Sequence, residues 1–223
     1  MDIQKNLMLA KKYMVESIFR AANVEGIGVT FPETQAICDG MSVGGHKIED
    51  IEAVMDLKHA WQWCFEHPMA EIDLETLQTI NRIAGKMTVI NAGSLRDRYD
   101  TPIHVILRQG ERYYPPLPDA DTISRSFADI AKRDHSIDHA LDLFCYVAKG
   151  QFFNDGNKRT ATILVNLYLM QNGLGIFSIP PEKILDFYNY LTDFYGDDSC
   201  KDALKEFLRE NCLTFADEGF YTT

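Results

Sequence analysis

Residues 160–170 constrain the fold of this chain more than any other stretch. Ile163, Leu164, Val165, Leu167 and Leu169 crowd together with no polar face between them. A helix that is apolar almost all the way round must be enclosed by other elements, so the remaining chain has to supply a shell. Most of that shell also reads as helix. Leu7, Ala10, Met14, Ile18 and Ala21 recur at helical spacing, and the pattern ends within 23–28. Residues 50–65 and 74–87 give two further amphipathic stretches, parted by the breaker His67-Pro68. In 137–150, Ala140, Leu141, Phe144, Val147 and Ala148 share one face, and 181–194 and 199–212 supply two more helices. One segment departs from this period. Residues 102–114 hold two β-prone runs, 103–107 and Tyr113-Tyr114, joined by a connection containing Gly110, which predicts a hairpin. Pro115, Pro116 and Pro118 then stop the second strand and lead into the next helix.

The predicted fold is mainly α, a helical bundle with a small β-hairpin. At 223 residues the chain suffices for one well-buried core, and it contains no internal repeat or low-complexity linker. Three parts of one compact unit are expected: an N-terminal helical region over 1–48, a core over 49–175 with the hairpin at 101–114, and C-terminal helices over 176–223 packed on that core.

Charge and cysteine usage exclude several functions. The net charge of −11 opposes non-specific binding to nucleic acid or to anionic membranes. The five cysteines are scattered and odd in number, with no zinc or redox spacing, and Cys145 reads as a small buried hydrophobe. Residues 1–12 carry charges throughout, without the apolar centre of a signal peptide, and no stretch approaches a membrane span in length. A reducing, cytoplasmic setting is the expectation. The oligomeric state is not legible.

The chemistry-bearing stretch is 150–161, where one helix ends and the enclosed helix begins. Asp155, Gly156 and Asn157 occupy the turn, residues that tolerate unusual backbone angles and cap helices. A helix N-terminus offers unpaired N–H groups and a positive dipole end, a ready anion site. Lys158 and Arg159 add cations in the first turn, where the dipole disfavours them. A bound phosphate would reverse that sign, and Asp155 could hold a divalent cation bridging phosphate oxygens. A bare turn of this kind would equally serve as a capped, solvated helix start.

The whole string narrows the choice. Residues 151–159 resemble the Fic motif, His-Pro-Phe-x-(Asp or Glu)-Gly-Asn-(Gly or Lys)-Arg, at Phe153, Asp155, Gly156, Asn157, Lys158 and Arg159. The resemblance, which extends over about 25–173, implies a Fic-like helical domain that moves part of a nucleotide, usually AMP from ATP, onto a hydroxyl of a protein target. It further implies Mg²⁺ at Asp155, a phosphate loop of Gly156, Asn157, Lys158 and Arg159, and Phe153 as a core anchor. Such domains carry a hairpin flap that docks the target by strand addition, a role that falls here to Ile103, His104 and Val105. Glu25-Gly26 resembles the inhibitory motif (Ser or Thr)-x-x-x-Glu-(Gly or Asn), with Ala21 at the hydroxyl position. The same dipeptide would also serve as an ordinary glycine-ended helix.

Three positions depart from the family pattern. Gln151 stands where the family has its catalytic histidine, and an amide cannot take a proton near neutral pH. Thr162 replaces a further arginine, so Glu25 is expected to pair with Arg159 or to act as a weaker brake. Lys158 replaces the commoner glycine, a feature of Doc-type phosphotransferases. This leaves three readings open: an autoinhibited adenylyltransferase of reduced activity, an inactive nucleotide- or protein-binding module, and a Doc-like phosphotransferase. His104 is the candidate for an accessory catalytic group. His135 and His139, with Asp138 and Asp142 nearby, would make a metal site only with a third ligand, and none is evident.

Overall fold

The computed structural model describes residues 1–131 and 135–216, so the last seven residues of the expected C-terminal part lie outside the described residues. The elements run α1 (Ile3–Val24), α2 (Phe31–Cys38), α3 (Ile48–Glu66), α4 (Leu74–Ala84), β1 (Val105–Ile106), β2 (Arg112–Tyr113), α5 (Ala120–Ala131), α6 (Ile137–Gly150), α7 (Asn157–Asn172), β3 (Ile176–Phe177), α8 (Ile184–Gly196), α9 (Lys201–Asn211) and β4 (Leu213–Thr214). The described residues are therefore mainly helical with two small antiparallel strand pairs, β1 with β2 and β3 with β4.

The apolar stretch becomes the axis of the molecule. Every residue of α7 from Arg159 to Met170 is buried, and α6, α4, α1 and α3 pack around it. Each large apolar side chain so enclosed contributes about 1.5–3 kcal/mol. Asparagine side chains serve backbone groups at two points on this axis. Asn166 donates to the carbonyls of Thr162 and Phe177 and accepts from the Phe177 N–H. Asn6 on α1 does the same for the exit of α7, donating to Leu169 and Gly175 and accepting from Gly175.

The structure extends the sequence reading in two places and trims it in one. Helix α2 is too short to carry a clear period, but its start is explicit: Thr30 accepts from the Glu33 N–H while the Glu33 carboxylate accepts from Thr30, a reciprocal cap. Strands β3 and β4 have two residues each, too few for an alternation. Helix α4 ends at Ala84 instead of 87, because Gly85 closes its last turn. The hairpin forms inside the expected 102–114, with Val105 opposite Tyr113 and Ile106 opposite Arg112. No helix among the described residues is long and apolar enough to cross a membrane.

Candidate functional site

Helix α6 stops at Gly150 and the chain enters Gln151 in the left-handed region, φ 44°. That conformation costs a side-chain-bearing residue roughly 1–2 kcal/mol, so something must hold it. The Gln151 amide is itself the holder. Its Nε2 donates to Ala148 O at 2.8 Å and to the Tyr195 hydroxyl at 3.2 Å, and its Oε1 accepts from Asn157 Nδ2 at 3.2 Å. Tyr195 lies on α8 and donates its own hydrogen bond to Ala148 O at 3.0 Å. Burial pushes this phenol well above its ordinary pKa, against the opposing pull of the Gln151 hydrogen bond, so it stays neutral. Gln151 is thus a staple of the loop, with both amide protons committed.

Asn157 organises the same turn. It accepts from the Phe153 N–H at 2.9 Å and donates to Phe153 O at 2.8 Å, while the Phe153 ring is buried as the resemblance implies. Gly156 then takes φ 76° at the N-cap of α7 and offers no side-chain cap. The first-turn N–H groups of the buried axis are therefore left for an anion. A Cβ at Gly156 would meet Asn81 Nδ2 at 3.2 Å, so the backbone angle and the tight approach both favour glycine here. Asp155 faces solvent, with its Oδ1 taking the Gly156 N–H at 2.6 Å and its Oδ2 3.8 Å from Arg159 Nη2. Asp155 is the exposed carboxylate beside these N–H groups that could hold Mg²⁺, an ion commonly held by one or two carboxylates together with substrate phosphates and water.

The two first-turn cations do not wait on a phosphate for compensation. Arg159 is buried, donating from Nη1 to Ala84 O at 2.9 Å and to Thr88 Oγ1 at 3.2 Å. Lys158 lies 3.6 Å from Glu25 Oε1 and 5.9 Å from the centre of the Tyr188 ring. Burial alone would lower its pKa, but Glu25, Tyr188 and Asp155 together raise it, so it remains charged. The expected partner of Glu25 is corrected accordingly: the ion pair is with Lys158, because Arg159 is turned toward the end of α4. Glu25 is also the C-cap of α1, followed by Gly26 at φ 79°. Its helix-ending and loop-facing roles coexist.

The hairpin stands over this region and is fastened at its base. Tyr113 donates to Lys149 O at 3.2 Å and stacks on Tyr195 at 5.7 Å. Arg108 reaches Asp193 on α8 at 3.3 Å. Along 103–107, Ile103 and Val105 are half-buried, whereas His104 and Ile106 are exposed. The His104 ring packs on Tyr114 at 5.6 Å, on the outer face of the hairpin. The acidic pair beside His139 is used structurally, for Asp138 and Asp142 hold Lys205, Arg209 and Lys201 at 2.7–2.8 Å.

Four residues of the site escaped the sequence reading. Arg96 donates from Nε to Gln151 O at 2.6 Å and from Nη2 to Pro116 O at 2.9 Å, joining the loop to the hairpin exit. Asn81 donates to Asp155 O at 3.1 Å and to Thr160 Oγ1 at 3.0 Å, and accepts from Gly93 N at 2.7 Å. Tyr195 and Tyr188 come from α8, where no motif was legible; the Tyr188 hydroxyl donates to Val24 O. Asn81 did leave a signal, since it falls inside the apolar stripe Leu77, Ile80, Ala84, and a polar group on a buried face needs partners.

Known proteins resemble a stretch of the chain that includes this loop. Residues 71–169 match the model of the Fic/DOC family. The curated "Protein adenylyltransferase Fic" of Drosophila melanogaster is 24% identical over 193 residues, covering 81% of this chain and 37% of the relative. The protein of the same name from Nematostella vectensis is 26% identical over 202 residues, covering 84% and 45%. This chain therefore spans less than half the length of those curated relatives. Among solved structures, a Fic domain containing signalling protein from Bacteroides thetaiotaomicron superimposes with a TM-score of 0.74 at 19% identity, over 91% of this chain and 82% of that one. Fic-1 of C. elegans gives 0.67 at 21% identity, over 91% and 60%. At such identities the superpositions establish the fold.

Proposed function

We propose, on the premise that residues 71–169 form a Fic/DOC family domain, that this protein binds ATP with Mg²⁺ at the α6–α7 loop and transfers AMP to a hydroxyl of a protein target. The observation that carries the proposal is the uncapped start of α7, where Gly156 in the left-handed region opens first-turn N–H groups beside the exposed carboxylate of Asp155. The names of the curated relatives support the reaction class.

In this reading Gly156, Asn157, Lys158 and Arg159 hold the phosphates, through backbone N–H groups and the two cations. Mg²⁺ at Asp155 would neutralise phosphate charge. The target strand would add along Ile103, His104 and Val105. The target hydroxyl oxygen bonds to the α-phosphorus, the bond to the β-phosphate oxygen breaks, pyrophosphate leaves, and the hydroxyl proton passes to solvent. Gln151 takes no proton, and its amide is tied to Ala148, Tyr195 and Asn157. Loss of a general base slows such a step roughly 10²–10⁴-fold. Nucleotidyl transfer leans more on positioning and charge, which lets slow turnover persist. Glu25 restrains the site by holding Lys158 away from phosphate. A reducing, cytoplasmic setting belongs to the same proposal and is supported by five unpaired cysteines.

A second reading, an inactive module that binds nucleotide or a partner without transfer, draws on the fully engaged Gln151 amide. The protein is incubated with cell lysate and ATP labelled at the α- or γ-phosphate. Label on protein from the α position is the expected result, stronger with Glu25→Gly. Label from γ alone indicates the phosphotransferase alternative that Lys158 raises, and label from neither position, even with Glu25→Gly and Gln151→His combined, leaves the inactive module.

A further inference from the structure

Three buried polar atoms beneath the loop make no hydrogen bond: Ser17 Oγ, Glu25 Oε1 and Arg159 Nε. They belong to residues that line one small cavity of about 10 Å³, whose wall also includes Lys158, Thr162 and Ser178 beside apolar side chains such as Val24, Phe144 and Phe187. Ser17 and Arg159 are each more than nine-tenths buried, so bulk solvent does not serve them. A space of this size takes a single water and nothing larger, and a buried water normally has two to four polar partners. A hydroxyl, a carboxylate oxygen and a guanidinium N–H supply three of complementary kinds.

We propose that one ordered water molecule occupies this cavity, accepting from Arg159 Nε, donating to Glu25 Oε1 and exchanging a hydrogen bond with Ser17. It is a second anchor for Glu25. Lys158 holds the carboxylate from one side at 3.6 Å, a charge contact longer than a hydrogen bond. The water ties the same oxygen, Oε1, to Arg159, whose Nη1 donates to Ala84 and Thr88 and whose Nη2 lies 3.8 Å from Asp155. Ser17 lies one turn before Ala21 on α1, so the hydroxyl missing at position 21 of the inhibitory-type motif enters the same cavity from the adjacent turn. The consequence for nucleotide rests on the proposed restraint by Glu25; the water itself does not.

Water and restraint are read separately. A crystal structure of the nucleotide-free protein, at a resolution that resolves ordered solvent, is expected to hold one water within hydrogen-bond reach of all three atoms. In Ser17→Val the added methyl displaces it, and ATP affinity by calorimetry is expected to rise about two- to tenfold, the worth of one lost hydrogen-bonded anchor. Ser17→Ala, which folds more readily, should keep the water at reduced occupancy. Direct hydrogen bonds among the three residues with no water between them would overturn the proposal, as would a water unmoved by Ser17→Val. If Ser17→Val leaves affinity unchanged while Glu25→Gly raises it, the second-anchor role is refuted. If Glu25→Gly also changes nothing, the restraint fails while the water stands on its density.

Discussion

Replacing Arg96 with methionine tests the architecture of the loop most directly. The residue is only 5% exposed, and its side chain donates to Gln151 O at 2.6 Å and Pro116 O at 2.9 Å. Hydrogen bonds from a charged donor contribute about 1.5–3 kcal/mol each. Methionine keeps most of the stem's packing and removes both donors, leaving two carbonyls without their partner. Removing the cost of burying the guanidinium offsets part of this loss. The net destabilisation expected is about 2–4 kcal/mol, roughly 5–15 °C in melting temperature for a chain of this size. Gln151 sits at φ 44° with its carbonyl braced by Arg96, so the same change should loosen the turn ahead of α7 and weaken ATP binding. Arg96→Lys, which keeps the charge and can reach one carbonyl, should recover part of both losses. Urea unfolding gives the stability at unchanged slope, and calorimetric titration with ATP at a temperature where all variants are folded gives the affinity. A methionine variant within about 0.5 kcal/mol of the parent would refute the bracing argument. Full destabilisation with unaltered ATP affinity would refute the link from brace to loop.

Two other perturbations probe different parts of the molecule. Gly156→Ala places a Cβ at φ 76° and 3.2 Å from Asn81 Nδ2, so ATP affinity should fall about tenfold, a strain of about 1–2 kcal/mol; an affinity equal to the parent's would mean that the turn relaxes freely. At Asp142, burial pushes the carboxyl pKa up, but Lys201 and Lys205 override it and hold the group below its ordinary value. Its contribution is therefore present above about pH 4 and lost as pH falls through the lowered folded value. Asp142→Asn should cost about 1.5–3 kcal/mol at neutral pH, with the gap to the parent closing in acid; a pH-independent gap in urea melts would contradict this.

The central helix and the loop before it were legible because each is a local property. A helix apolar on almost every side needs enclosure whatever surrounds it, and Asp155-Gly156-Asn157 at a helix start dictates a turn by its own backbone preferences. Helix α2 stayed hidden because eight residues barely complete two turns, and its signal lay in the Thr30–Glu33 cap. Arg96 was invisible for a different reason. An arginine in an aperiodic segment looks solvated until the carbonyls of Gln151 and Pro116, distant in sequence, close on it. For Glu25 the sequence leaves pairing with Arg159 or a weaker brake as the expectations, since nothing local tells that Arg159 will turn to Ala84 and leave Lys158 beside Glu25.

Helix α8 has a consequence for where this protein can be cut. It lies wholly beyond residue 169, yet Tyr195 secures the Gln151 amide, Tyr188 secures the end of α1 and Asp193 tethers the hairpin. A chain severed after Gly173 would keep every residue of the recognisable motif and lose three fastenings at once. The smallest piece able to behave like the whole is thus set by who leans on the loop from behind, and it is larger than the piece that a motif search would excise.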